Sequence, residues 1–175
     1  SDKWKISVTA NATHNSADDP GPENRPQERQ GTFKTEDYLG IATLSHAYGI
    51  VQGDWKVYWN NGIARWTDQY DLADHFYYDT ITKFDNYGIR AREAIQPWTG
   101  GTFTVGADWD CTSGTVTINR GLLRQDSYFS RDTFRILSPF FLLGHEFNLI
   151  KEWKLIPSAG VRYYNHSDFD ARWAP

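Results

Sequence analysis

Trp153-Lys-Leu-Ile-Pro-Ser-Ala-Gly-Val-Arg-Tyr163 is the stretch that decides the fold class. Read as a strand, it places Trp153, Leu155, Pro157, Ala159, Val161 and Tyr163 on one face. Lys154, Ile156, Ser158, Gly160, Arg162 and Tyr164 then fall on the other. Strand side chains alternate between two faces, so an apolar series of period two marks a strand with one face against a nonpolar medium. Aromatic rings close both ends of this series and small aliphatics fill its middle. Strands that cross a bilayer have this order, with rings at the interfaces and aliphatics facing hydrocarbon between them.

Working outward, the same alternation predicts six more strands. The first, Lys3 to His14, sets Trp4, Ile6, Val8, Ala10 and Ala12 against Lys3, Lys5, Ser7, Thr9 and Asn11. A second, less cleanly alternating, spans Phe33 to Tyr48, and a third, Asp54 to Thr67, groups Trp55, Val57, Trp59 and Ile63. The fourth, His75 to Glu93, sets Tyr87, Ile89 and Ala91 against Gly88, Arg90 and Arg92. The fifth, Thr102 to Asp110, sets Phe103, Val105, Ala107 and Trp109 against Thr104, Gly106, Asp108 and Asp110. The sixth, Asp132 to Asn148, presents Leu137, Pro139, Phe141, Leu143 and Phe147.

The intervening links alternate in length, the longest being 15–32 and Cys111–Arg131, with Thr115–Asn119 as a small extra strand inside the latter. In an antiparallel meander such links sort onto opposite rims, as the short turns and long loops of membrane barrels do. The expected fold is an all-β, antiparallel, up-and-down transmembrane β-barrel, with about seven or eight strands of a larger barrel in view. Residues 1–175 form a single barrel segment. Trp55, Trp109, Leu137, Phe141, Leu143, Trp153, Leu155, Val161 and Tyr163 are expected to face lipid.

Composition agrees with β structure. Aromatic residues make up 16% of the 175 residues, and Tyr and Trp favour both strands and membrane interfaces. Mean hydropathy is negative and no run of about 18 apolar residues occurs, so no membrane-spanning helix is expected. A barrel needs none, because only alternate residues meet lipid. A net charge of −4 and the absence of a basic stripe argue against nucleic acid. Cys111 is the lone cysteine and forms no internal disulfide. Ser1-Asp-Lys-Trp-Lys5 opens straight into a strand with no signal-peptide pattern, and Arg172-Trp-Ala-Pro175 reads as the start of a strand.

Catalytic constellations are sparse. His145-Glu146 begins a zinc-protease pattern, but Leu149 stands where the second histidine belongs. His14, His46, His75, His145 and His166 lack ligand spacing, and no phosphate loop or nucleophile elbow is present. No catalytic residue, metal or cofactor is expected, and the chain is read as a non-enzyme. Asp68, Asp71 and Asp74 are either a weak site for a hard cation or, as preferred here, a solvated link. Asp108 and Asp110 are expected to pair across strands with Arg90 and Arg92. In the long link, Arg120, Arg124, Tyr128 and Phe129 combine guanidinium and ring chemistry suited to an anionic, partly aromatic ligand, against the plainer reading of a solvated loop.

Several stretches resemble the barrel of TonB-dependent outer-membrane receptors. They are Gly100-Gly-Thr-Phe-Thr-Val-Gly-Ala-Asp108, Leu137-Ser-Pro-Phe140, Trp153 to Tyr164, Asn165-His-Ser-Asp-Phe169 and Trp173-Ala-Pro175. The resemblance is strongest over residues 84–175. It implies a bacterial outer-membrane location and uptake of a scarce nutrient such as a ferric siderophore. It also implies contact with outer-membrane lipid, and with the TonB complex through parts not in this chain. A complete receptor of this type has about 22 strands. It also has a plug domain, which this sequence lacks, so an internal part of the barrel is expected. The competing readings are a self-contained soluble or small membrane β-barrel binding an apolar ligand, and a carbohydrate-binding β-sandwich using Trp55, Trp59 or Trp98.

Overall fold

The computed structural model describes residues 3–19, 31–71, 76–120, 125–149 and 153–175. Alternating β-branched and aromatic residues favour extended backbone, and no helix occurs among the described residues. The strands are β1 (Trp4–Asp19), β2 (Gly31–Tyr48), β3 (Val51–Asp71), β4 (Phe76–Ile95) and β5 (Gly101–Asn119). They continue with β6 (Gln125–His145), β7 (Phe147–Asn148), β8 (Lys154–Leu155), β9 (Ser158–His166) and β10 (Arg172–Ala174). One eight-stranded sheet runs β1-β2-β3-β4-β5-β6-β9-β10, and every neighbouring pair is antiparallel. β7 and β8 form a separate two-stranded ribbon.

The sheet is open. Among the described residues β1 pairs only with β2, and β10 only with β9, so a closed barrel is not formed by these strands alone. The meander order nevertheless departs from the Greek-key crossings of a sandwich.

Four expectations from the sequence need correction. Cys111–Arg131 is not a long loop: β5 continues through Thr115–Asn119, and β6 begins at Gln125, before Asp132. Val116 and Ile118 prolong the alternation past Asp110, and Phe129 still pairs with Val116 across a register shift. The sorting of long and short links is correspondingly weaker, because length that reads as loop is strand. Trp153–Tyr163 is not one strand: it breaks at Ile156 and Pro157, where proline has no N–H to donate to a ladder. Trp153 and Leu155 therefore sit at the small ribbon, and Phe147 leaves β6 to join it.

Two features shape the sheet locally. Gly49, at φ 55°, starts the two-residue turn between β2 and β3, a conformation that suits glycine. Elsewhere rings lie over directly opposed glycines: Tyr58 over Gly88, Phe84 over Gly62 and Phe140 over Gly106. Each glycine leaves the space its partner ring fills, an arrangement that pins register.

A side chain at Gly106 would meet the Phe140 ring and the Ala91 carbonyl, whereas one at Gly40 would meet nothing within 4 Å. Gly106→Val is therefore expected to cost about 1–3 kcal/mol. Gly40→Val should stay within about 0.5 kcal/mol of the parent. Denaturant titration of the refolded chain in detergent checks both.

Candidate functional site

Directly opposed residues in an antiparallel sheet share a face, so the register assigns every side chain to one of two surfaces. Trp4, His46, Gly53, Glu93, Val105, Phe141 and Val161 form one row, and rows above it repeat the apolar pattern. Ile6, Leu44, Trp55, Ala91, Ala107 and Pro139 align next, then Val8, Ala42, Val57, Ile89, Trp109 and Leu137. These side chains are open to the surroundings: Trp55 is 47% exposed, Val57 50%, Ile89 49% and Ile6 74%. On β3 the band runs from Val51 to Trp59, about 26 Å at roughly 3.3 Å per residue.

Two tryptophans of β3, Trp59 at one margin and Trp55 in the middle of the band, direct their N–H groups to carboxylates nearer its ends. Trp59 Nε1 donates to Asp85 Oδ1 at 2.8 Å, and Trp55 Nε1 donates to Glu93 Oε1 at 2.8 Å, the two carboxylates lying toward opposite ends of the band. Indoles placed so keep the ring in apolar contact and the N–H satisfied.

The opposite face carries charge at the same level. Lys56, Arg90, Asp108 and Ser138 share a row, flanked by one holding Asp54, Arg92, Phe140 and Arg162, and by one holding Tyr58 and Asp110. Arg162 Nη1 donates to Asp108 Oδ2 at 2.7 Å and stacks over the Phe140 ring at 4.6 Å. Tyr58 donates its hydroxyl to Asp110 Oδ1, Arg90 lies 3.9 Å from the same oxygen, and Arg90 also covers the Tyr58 ring at 5.4 Å. Asp37 Oδ1 and Asn60 Oδ1 are buried on this face without a hydrogen-bond partner. Recesses of about 310, 450 and 550 Å³ share Arg92 in their walls.

Above the band the two faces exchange character. The apolar face becomes polar through Glu36, Arg65, Lys83, Asp85 and Arg135, with Arg65 Nη1 bonded to Glu36 Oε1 at 2.9 Å. The polar face becomes aromatic through Phe33, Trp66, Phe84, Val116 and Ile118, and Phe33 meets Trp66 edge-on at 5.8 Å.

Of the residues singled out from sequence, Trp55, Trp109, Leu137, Phe141, Leu143, Val161 and Tyr163 come together on the exposed apolar face. Trp153 and Leu155 do not join its rows. Arg120 directly follows β5 and lies over the Phe76 ring at 5.5 Å. Tyr128 and Phe129 fall within strand β6, not in a loop, and Arg124 lies outside the described residues. Asp68 has φ 53° at a bulge, and its N–H donates to Asp79 Oδ1 at 2.9 Å. Residue 74 lies outside the described set. Among the described residues no three His, Cys, Asp or Glu side chains gather as metal ligands. His145 accepts from Trp98 Nε1 at 3.1 Å, and Glu146 pairs with Lys154 at 2.6 Å.

Sequence reading placed Asp108 beside Arg90 and Arg92 but missed Arg162, which arrives from β9 two strands along the sheet. It also missed Glu93, whose signal was a charge in the apolar register of Tyr87, Ile89, Ala91 and Ile95. No protein-family model, curated protein or solved structure matches the chain.

Arg162 and Asp108 are 34% and 19% exposed, against 41% and 31% for Arg65 and Glu36. A double-mutant cycle on Arg162→Met and Asp108→Asn should give a coupling of about 1–2 kcal/mol. The same cycle on Arg65 and Glu36 should give less than about 0.5 kcal/mol.

Proposed function

We propose that the chain is part of an outer-membrane transport barrel of the TonB-dependent receptor type, importing a scarce nutrient such as a ferric siderophore. The observation that carries this reading is the continuous exposed apolar face, matched row by row with a charge-bearing face on the other side of a single sheet. A surface of that extent is not left to water in a soluble monomer. In hydrocarbon, closed strand pairing is one of the two ways to satisfy every backbone polar group. A strand tilt of roughly 40° shortens the band to about 20 Å, close to the ~25 Å belt of membrane barrels.

In this reading the Arg90, Asp108, Asp110 and Arg162 face lines a polar lumen. The exchange of character above Trp59 and Tyr87 marks where strands leave the bilayer, since outward residues there meet water. Further strands would pair with β1 and β10, whose unpaired edges are unstable in lipid. The chain's role is to bind, enclose and pass a ligand, and not to catalyse. Coupling to the TonB complex belongs to parts outside these residues. A lipocalin-like barrel would turn the apolar face inward, and the inversion would then put Phe33, Trp66 and Phe84 in water.

Ala42 and Thr43 are adjacent on β2, at mid-band, on opposite faces. Ala42→Arg is expected to cost about 2–4 kcal/mol of stability in vesicles, and Thr43→Arg under about 1 kcal/mol. Urea titration of both variants in vesicles checks this, and equal costs would remove the bilayer reading.

A further inference from the structure

Glu93 is out of place: its strand neighbours on the same face are Ala91 and Ile95, yet it puts a carboxylate on the exposed apolar band. Three features hold it there. Gly53 stands directly opposite, and the Glu93 carboxylate lies in the space a side chain would take. His46 Nε2 lies 3.0 Å from Oε1, and Trp55 Nε1 donates to the same oxygen at 2.8 Å. No described hydrogen bond reaches Oε2. A partly exposed carboxylate set in an apolar band, with one oxygen free of described partners, has acceptor capacity left for a further donor.

The surroundings define that donor. The His46 side chain is 9% exposed and Glu93 30%, so the imidazole is closed in while the acid opens outward. His46 Nδ1, the other ring nitrogen, is buried without a partner, so the imidazole turns Nε2 alone to the acid. Around it stand Trp4, 5.1 Å from the His46 ring, and Trp55, 6.0 Å from it. Trp4 and Trp55 are 41% and 47% exposed. Tyr48 packs on Trp4 at 5.7 Å, and the Lys3 ammonium lies over the Tyr48 ring at 5.3 Å, so this aromatic group already receives one cation. A carboxylate with exposed indole faces is the chemistry that recognises an ammonium. The cluster lies one row inside the end of the band, beside the two-residue turn at Gly49, so in the bilayer reading its carboxylate is within reach of lipid head groups.

We infer that Glu93, flanked by Trp4 and Trp55, binds the primary ammonium of a phosphatidylethanolamine head group on the outer surface of the sheet. The inference rests on the bilayer reading proposed above. Oε2 accepts an N–H of the ammonium, and the two indoles take its remaining charge. A phosphatidylglycerol head group offers no positive charge and brings its phosphate toward the acid.

The test is native mass spectrometry of the 175-residue chain released from vesicles holding equal phosphatidylethanolamine and phosphatidylglycerol. Retention of the ethanolamine lipid is expected for the parent, falling roughly tenfold in Glu93→Gln, which loses one charge-assisted hydrogen bond. N-acetylated phosphatidylethanolamine, whose amine is neutral, should lose the preference on the unaltered chain, so the result does not depend on the variant folding. Equal retention by Glu93→Gln, or of the acetylated lipid by the parent, overturns the inference. Brominated-lipid quenching of the parent's tryptophans separates the two failures. Quenching without an ethanolamine preference removes this site alone, and no quenching removes the bilayer reading along with it.

Discussion

Interstrand hydrogen bonding holds this molecule in shape, because the sheet has almost no interior. Among the described residues the buried apolar side chains are Ala94 and Cys111, with Thr104 and Ser138 the buried polar ones. A water-soluble domain of this size draws its stability from an apolar core, and here many large apolar side chains are exposed instead. What remains is a ladder of consecutive antiparallel pairs, which satisfies the backbone and fixes which residues share a row. Everything else follows from that register. A slip of one residue would send Trp55, Val57 and Ile89 to the charged face and Arg90 and Asp108 to the apolar one. The Gly88–Tyr58, Gly62–Phe84 and Gly106–Phe140 pairs oppose such a slip, since each ring fits only where its partner lacks a side chain.

The two surfaces use different physics. On the charged face, Arg162 bonds Asp108 and stacks on Phe140, while Tyr58 and Arg90 converge on Asp110, so charges drawn from β4, β5 and β9 neutralise one another across the sheet, with a phenol from β3 joining them. Such pairs are worth most where water is scarce, and partial burial at Arg162 and Asp108 places them between lumen-like and interior settings. On the apolar face dispersion and exclusion from water dominate, and the acids near its two ends, Asp85 and Glu93, accept from the indoles of Trp59 and Trp55. The exchange of character above the band ties the surfaces together: at one level one face changes from apolar to charged as the other changes from charged to aromatic. A single medium on each side would not produce that pattern. The proposed bilayer, ending part-way along the strands, would.

Much of this was legible in the sequence, and what was not has specific causes. The faces of Trp4–Ala12, Trp55–Ile63, Tyr87–Ala91 and Phe103–Trp109 follow from period-two alternation, and the register groups them as expected. Thr115–Asn119 reads as a small separate strand and not as the end of β5, because small and hydroxylated residues carry weak alternation, and because the apolar side chains change face near Cys111, so a period counted on one face ends there. The Trp153–Tyr163 alternation is perfect in letters, but Pro157 removes a ladder donor and the chain kinks into a ribbon. Alternation reports which side chains share a face, not whether the backbone stays paired. Arg162 was visible only as a polar residue, since its partner lies in another strand far away in sequence. Glu93 was visible as a broken pattern, and its reason, Gly53 opposite and His46 beside it, needed the register.

The account stands on the claim that Trp55, Trp59 and Trp109 face hydrocarbon while Trp66, further along β3 and on the other face, does not. Single-tryptophan variants refolded into vesicles, with fluorescence quenching by lipids brominated along the acyl chain, test this directly. Strong quenching of the first three and little of Trp66 is the predicted result. A soluble, monomeric, β-rich protein in plain buffer, with none of the four quenched by brominated lipid, would contradict it.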